Sequence, residues 1–185
     1  MSRTASNMLP LGTRAPSFNL KDTISNKYLT LEELKGGKAT VIFFICNHCP
    51  FVIHINEELV KIANNFSKKG VSFIAISSND IINYPQDAPN LMHEIAKKIK
   101  YPFPYLFDET QNVAKAFDAA CTPDIYVFDK NSELVYRGQL DDSRPGNKIP
   151  VTGKDLRKAL QNLLDGSEVL RNQKPSIGCN IKWKG

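Results

Sequence analysis

The chain has 185 residues, 42% hydrophobic and 23% charged, which suits one globular domain with a buried core and is short for two. Its net charge of +5 comes from scattered lysines, paired only at Lys68-Lys69 and Lys97-Lys98, and the lack of a dense basic block with interleaved aromatics excludes nucleic acid as the expected partner. Met1 to Pro10 is polar and no stretch approaches the roughly 18 to 20 apolar residues of a membrane span, so no membrane partner is expected and the protein is expected to be soluble and cytoplasmic.

Ser17 to Leu20 is a short strand. The run Thr40 to Ile45 (Thr-Val-Ile-Phe-Phe-Ile) is apolar, and β-branched or aromatic throughout, as a parallel strand buried on both faces requires. It leads directly into Cys46-Asn47-His48-Cys49-Pro50. Beyond Pro50, the residues Val52, Ile55, Leu59, Ile62, Ala63 and Phe66 recur at helical spacing. Glu57, Glu58, Lys61, Lys68 and Lys69 take the other side, and Gly70 is the stop. Val71 to Ser77 is a second buried strand, and Leu91, Met92, Ile95, Ala96 and Ile99 define a second amphipathic helix. This β-α-β-α alternation implies a parallel core sheet with helices on its faces.

Tyr105 to Phe107 is a short strand, and Thr110 caps a short helix carrying Val113, Ala116 and Phe117. Ile125 to Phe128 and Leu134 to Tyr136 flank Asp129-Lys130-Asn131-Ser132 as a β-hairpin. A last helix carries Leu156, Ala159, Leu160, Leu163 and Leu164 and ends near Gly166. Residues 166–185 have no clear pattern and form an ordered or partly ordered tail, so the organisation is a single α/β domain with its core at about residues 12–165.

Four cysteines in a reducing compartment are not a disulfide framework; they are catalytic, sensing or metal-bound, or else small buried hydrophobes. Cys46 and Cys49, where a buried strand meets a helix, have the arrangement that thiol–disulfide exchange needs: the helix N-terminus stabilises a thiolate and the second thiol resolves the mixed disulfide. A partly protonated His48 between them would lower the pKa of its neighbour. Cys121, Cys179, His54 and His93 offer no second close pair, so no metal is expected. Lys35-Gly36-Gly37-Lys38 lacks the spacing of a phosphate loop, so no cofactor is expected.

From Gly12 to about Leu164 the chain resembles the superfamily that joins thioredoxin-like oxidoreductases with the alkyl hydroperoxide reductase and thiol-specific antioxidant proteins, the peroxiredoxins. Gly12-Thr13-Arg14-Ala15-Pro16-Ser17-Phe18-Asn19-Leu20 is similar to that superfamily's opening motif, and Thr122-Pro123-Asp124 to the thioredoxin Thr-Pro segment. Cys46 to Val52, Ala120 to Asp124 and Ser176 to Trp183 together resemble uncharacterised peroxiredoxin-like proteins of bacteria. The resemblance implies a thioredoxin-like fold, with a central mixed β-sheet flanked by helices, an N-terminal strand extension and a C-terminal tail. It also implies a cis Thr122-Pro123 bond facing the cysteines, a thiol reductant as partner, and a homodimer, since peroxiredoxin relatives often pair.

Two templates meet at the cysteines. On the peroxiredoxin pattern Cys49-Pro50 is the peroxidatic Cys-Pro, but Cys46 stands where Thr or Ser belongs and Pro123 replaces the activating Arg, which leaves Arg137 or Arg144 as substitutes. On the thioredoxin pattern the usual Trp before the first Cys is Ile45, and the buried Asp is Thr40. The balance favours a thiol–disulfide oxidoreductase acting on protein or small-molecule disulfides, with Cys46 attacking, Cys49 resolving, and Asn47, His48, Pro50, Thr122 and Pro123 in support. Cys121 is a candidate additional resolving thiol. The alternatives are a thiol peroxidase with Cys49 attacking peroxides, and a non-catalytic peptide-binding module. Cys179 is expected as a surface thiol, a tail anchor or an intermolecular disulfide partner.

Overall fold

In the computed structural model, which describes residues 3–185, the strand ahead of the cysteines is β4 (Ala39–Phe44), with every residue buried. Its alternation splits the core in two. Val41 and Phe43 face one hydrophobic cluster, with Val52, Leu59 and Ile62 of helix α2 (Pro50–Ser67), while Ile42 and Phe44 face another, with Phe117, Tyr126 and Phe128. Burial of each large apolar side chain contributes about 1.5–3 kcal/mol, so this strand is held from both sides.

The remaining elements are β1 (Arg3–Ala5), β2 (Asn19–Asp22), β3 (Tyr28–Thr30), α1 (Leu31–Leu34), β5 (Val71–Ser77), α3 (Pro89–Ile99), β6 (Tyr105–Phe107), α4 (Asn112–Ala116), β7 (Cys121–Thr122), β8 (Asp124–Asp129), β9 (Leu134–Arg137), α5 (Lys154–Leu164) and β10 (Ile177–Asn180). Seven strands form a mixed sheet in the order β3-β2-β6-β5-β4-β8-β9. Among the described residues, only the β4–β5 and β5–β6 pairings are parallel. A second, three-stranded sheet has the order β1-β10-β7.

The sequence expectations for the central strands, for α2 and α3, and for the hairpin of β8 and β9 agree with these elements within a residue or two. Four details differ. The strand expected at Ser17 to Leu20 is β2 and lies two residues later, because the Asp22 carboxylate fixes the following turn by accepting the Ser25 N–H (2.8 Å) and ties it to β6 through the Tyr105 N–H (3.0 Å). Gln111, at φ 64°, takes the N-cap position of α4 in place of Thr110. Glu58 is buried rather than solvent-facing, and accepts from Arg157 of α5 through Nε (3.0 Å) and Nη2 (2.6 Å), which clamps α2 to α5. The patternless tail contains β10, whose position against β7 makes it part of the site.

Candidate functional site

The chain leaves β4 at Ile45, whose N–H still bonds to the Ile76 carbonyl of β5 (2.9 Å), and turns through Cys46-Asn47-His48 into α2. Cys49 is the N-cap of α2 and Pro50 its first residue, where a missing N–H costs nothing. The Cys49 carbonyl accepts from the Val52 and Ile53 N–H groups, both at 3.0 Å. Opposite the turn, between β7 and β8, the Thr122-Pro123 bond is cis. Thr122 Oγ1 lies 3.5 Å from Cys46 Sγ, and the Thr122 carbonyl accepts from the Cys49 thiol at 3.1 Å. Sequence reasoning placed Thr122 and Pro123 beside the cysteines, and there they lie.

The turn is shaped by a residue that sequence reasoning missed. Asp87, at the end of a 3₁₀ turn (Pro85–Asp87) after β5, is wholly buried. Its Oδ1 accepts the N–H groups of Asn47 (2.8 Å) and His48 (3.3 Å), and its Oδ2 meets His48 Nδ1 (2.7 Å) and Asn79 Nδ2 (2.8 Å). One carboxylate therefore fixes the backbone of the turn and the ring between the cysteines. The ring also stacks on Tyr84, with centroids 5.8 Å apart, and Asn47 is held by the Gln86 carbonyl (2.9 Å) and Tyr105 Oη (3.2 Å). No local spacing ties Asp87 to a turn some forty residues earlier.

All four cysteines are buried, and none is in a disulfide. Their acidities diverge. Cys49 is pulled down to about 5, chiefly because the Cys46 thiol donates to it, with further donation from Cys179 and Thr122 outweighing desolvation. The Thr122 carbonyl contact favours protonated Cys49 and opposes this pull; the donors around the sulfur prevail. Cys46 is pushed well up by its bond to Cys49, by burial and by the Asp87 charge. These shifts lower Cys49 and raise Cys46, whereas the sequence expectation had Cys46 as the attacking thiolate, and the pull on Cys49 comes chiefly from the neighbouring Cys46 thiol.

Cys179 is the other residue the sequence did not place. Its Sγ lies 2.9 Å from Cys49 Sγ, and it is buried rather than a surface thiol. Cys121 instead points toward the Pro123 carbonyl (3.5 Å) and burial holds it protonated. The arginines expected as substitutes for the missing peroxiredoxin cation are engaged elsewhere: Arg137 donates to the Leu9 carbonyl and Gln173, and Arg144 to the Asp141 and Ser143 carbonyls and Gln139. Cys46 Sγ, His48 Nδ1 and an Asp87 oxygen lie within 4.8 Å of one another, a donor set of the type zinc-class ions use, although both Asp87 oxygens already accept N–H bonds.

Residues 11–137 match the model of the AhpC/TSA family. The chain is 59% identical to an uncharacterised conserved protein from Geobacillus kaustophilus whose crystal structure superposes with a TM-score of 0.98, covering 100% of this chain and 97% of that one. It is 29% identical to a chloroplastic peroxiredoxin Q of Gentiana triflora over 80% of this chain and 67% of that protein. A thioredoxin domain of a thiol–disulfide oxidoreductase from Bacteroides vulgatus shares the fold at a TM-score of 0.60 and 19% identity, over 70% of this chain and 88% of that one.

Proposed function

Because the chain belongs to the AhpC/TSA family, with the thioredoxin-like fold, we propose that it is a thiol–disulfide oxidoreductase whose working pair is Cys46 and Cys49. The observation that carries this reading is geometric: two cysteines at a strand-to-helix turn face cis Thr122-Pro123, with Cys46 Sγ 3.5 Å from Thr122 Oγ1 and Cys49 Sγ 3.1 Å from the Thr122 carbonyl, and Cys49 is lowered to about 5. At neutral pH the pair holds one proton and one negative charge.

The Cys49 thiolate attacks one sulfur of a substrate disulfide, and the other sulfur leaves as a thiolate that takes the Cys46 proton. Cys46 then attacks Cys49 Sγ, expels the second substrate thiolate and leaves a Cys46–Cys49 disulfide. Two electrons have passed to the substrate, and a cellular thiol reductant returns them. Thr122 Oγ1, 3.5 Å from Cys46 Sγ, can donate to the Cys46 thiolate as it forms. Asp87 and His48 hold the turn in the geometry that keeps the two sulfurs together.

A second reading, a thiol peroxidase in which Cys49 attacks the O–O bond, is favoured by the lowered Cys49 immediately before Pro50. The engagement of Arg137 and Arg144 elsewhere weighs against it, since an unpaired developing oxyanion loses a few kcal/mol of stabilisation. Insulin reduction with dithiothreitol, measured beside hydrogen peroxide consumption, separates the two. Insulin turnover that Cys49→Ser abolishes supports the oxidoreductase; peroxide turnover without insulin reduction overturns it; neither activity leaves the peptide-binding module.

A further inference from the structure

Ser176 to Trp183 carries Cys179 in the middle strand of the smaller sheet. In β10, Cys179 pairs with Arg3 on one side and with Thr122 on the other. The preceding residue makes this approach possible: a Cβ on Gly178 would collide with the Thr122 carbonyl, so only glycine lets β10 close on the Thr122-Pro123 segment. The register that follows places Cys179 Sγ 2.9 Å from Cys49 Sγ, with both residues buried. A disulfide needs about 2.05 Å between sulfurs, so less than about 1 Å of travel separates this contact from a bond. Cys49 is thereby flanked by two thiols, Cys46 and Cys179.

Resting on the reading that Cys46 and Cys49 form the working pair, we propose that Cys179 is a second disulfide partner of Cys49, and that the oxidised protein interconverts a Cys46–Cys49 and a Cys49–Cys179 disulfide by internal exchange. Cys179 loses its proton and its sulfur attacks Cys49 Sγ; the Cys49–Cys179 bond forms as the Cys46–Cys49 bond breaks. The electron pair of the broken bond leaves on Cys46, which takes up a proton. No external oxidant or reductant enters this step, because one disulfide and one thiol are present before and after it.

Charge holds the exchange back until Cys49 is oxidised. In the reduced protein Cys179 is pushed up to about 12 by burial and by the neighbouring Cys49, which keeps it protonated and inert. Once Cys49 is part of a disulfide its charge is gone, and Cys179 ionises more readily. The exchange moves the oxidised bond from the His48 and Asp87 side of Cys49 to the side of β10, ties β10 covalently to the start of α2, and returns Cys46 to the thiol form.

The test is disulfide mapping of the full chain after oxidation with oxidised glutathione, by non-reducing proteolysis and mass spectrometry, with circular dichroism to verify folding of each variant. The wild type is expected to give the Cys179 peptide crosslinked to the Cys49 peptide in part of the population. Cys46→Ser should drive Cys49 into the Cys179 crosslink within a monomer, and Cys49→Ser should abolish it. Folded Cys46→Ser that keeps Cys49 as a glutathione mixed disulfide, with Cys179 open to alkylation after denaturation, overturns the proposal. Failure of the underlying reading looks different: Cys179→Ala would then give no Cys46–Cys49 disulfide, while Cys46→Ser still formed the crosslink to Cys179.

Discussion

Cys49 is approached from three directions: the Cys46 thiol on its own turn, which is the main cause of its lowered pKa, the Cys179 thiol on β10 at 2.9 Å, and Thr122 opposite, whose carbonyl lies at 3.1 Å. Charge-assisted bonds of this kind are roughly twice as strong as neutral ones, which is why burial does not keep this sulfur protonated. A single thiolate should therefore appear in the ultraviolet thiolate absorbance of the reduced protein, with a midpoint near pH 5 that disappears in Cys49→Ser. Cys46, Cys121 and Cys179, all pushed up, should add no absorbance until strongly alkaline pH. Loss of the low-pH step in Cys46→Ser alone, with Cys49 intact, is also expected in part, because the Cys46 thiol is the largest donor. Asp87 acts on the other sulfur. Asp87→Asn keeps an acceptor for the Asn47 and His48 N–H groups but removes the charge that helps push Cys46 up, so in a Cys49→Ser background the Cys46 midpoint should fall. An unchanged midpoint would mean that Asp87 shapes the turn without tuning it.

Between elements, the decisive contact is that of β10 with β7 and the start of α2. Gly178→Ala forces a methyl group against the Thr122 carbonyl, and relief requires β10 to withdraw from the cis segment. Overpacking of this kind typically costs about 1–3 kcal/mol, which should lower the denaturant midpoint without changing the slope. The same variant should lose the Cys49–Cys179 crosslink in a Cys46→Ser background, whereas a full yield of crosslink would show that the close approach is not what seats Cys179. This element also marks the boundary of what the sequence discloses. β4, β5, α2 and α3 were legible because their hydrophobic periods are local and complete; the cis Thr122-Pro123 site was legible through its motif. β10 is only four residues, Ile-Gly-Cys-Asn, with one large apolar side chain, and its identity as a strand comes from partners more than fifty residues away. Asp87 was hidden for a related reason: two of its partners are backbone N–H groups that any residue type at positions 47 and 48 other than proline supplies, and its side-chain partners His48 and Asn79 stand at no spacing that points to it.

At the scale of the molecule, the chemistry lies at the end of β4 where four segments converge: the Cys46 turn, the Asp87 turn, the cis Thr122-Pro123 segment and β10. That convergence buries polar groups, among them Asp124, directly after Pro123. Its Oδ2 accepts from the Ala120 N–H (3.1 Å), and burial outweighs the hydrogen bonds around the carboxylate and raises it from 3.8 to about 6. Between those values the folded chain holds a proton that the unfolded chain has released, so stability falls as pH rises through the window and the penalty is constant above about 6. Two pH units correspond to about 3 kcal/mol. Asp124→Asn keeps the acceptor for Ala120 and cannot ionise, so it should be more stable than the wild type at pH 7 by an amount of that order, and the difference should shrink as pH is lowered toward 4. Comparing the two proteins cancels the opposite contribution of Cys49, whose raised acidity adds stability as pH rises above about 5. Denaturant midpoints of both proteins at pH 4 and pH 7 measure the effect; a difference independent of pH would place the Asp124 proton elsewhere and remove burial of its charge as the source of the penalty.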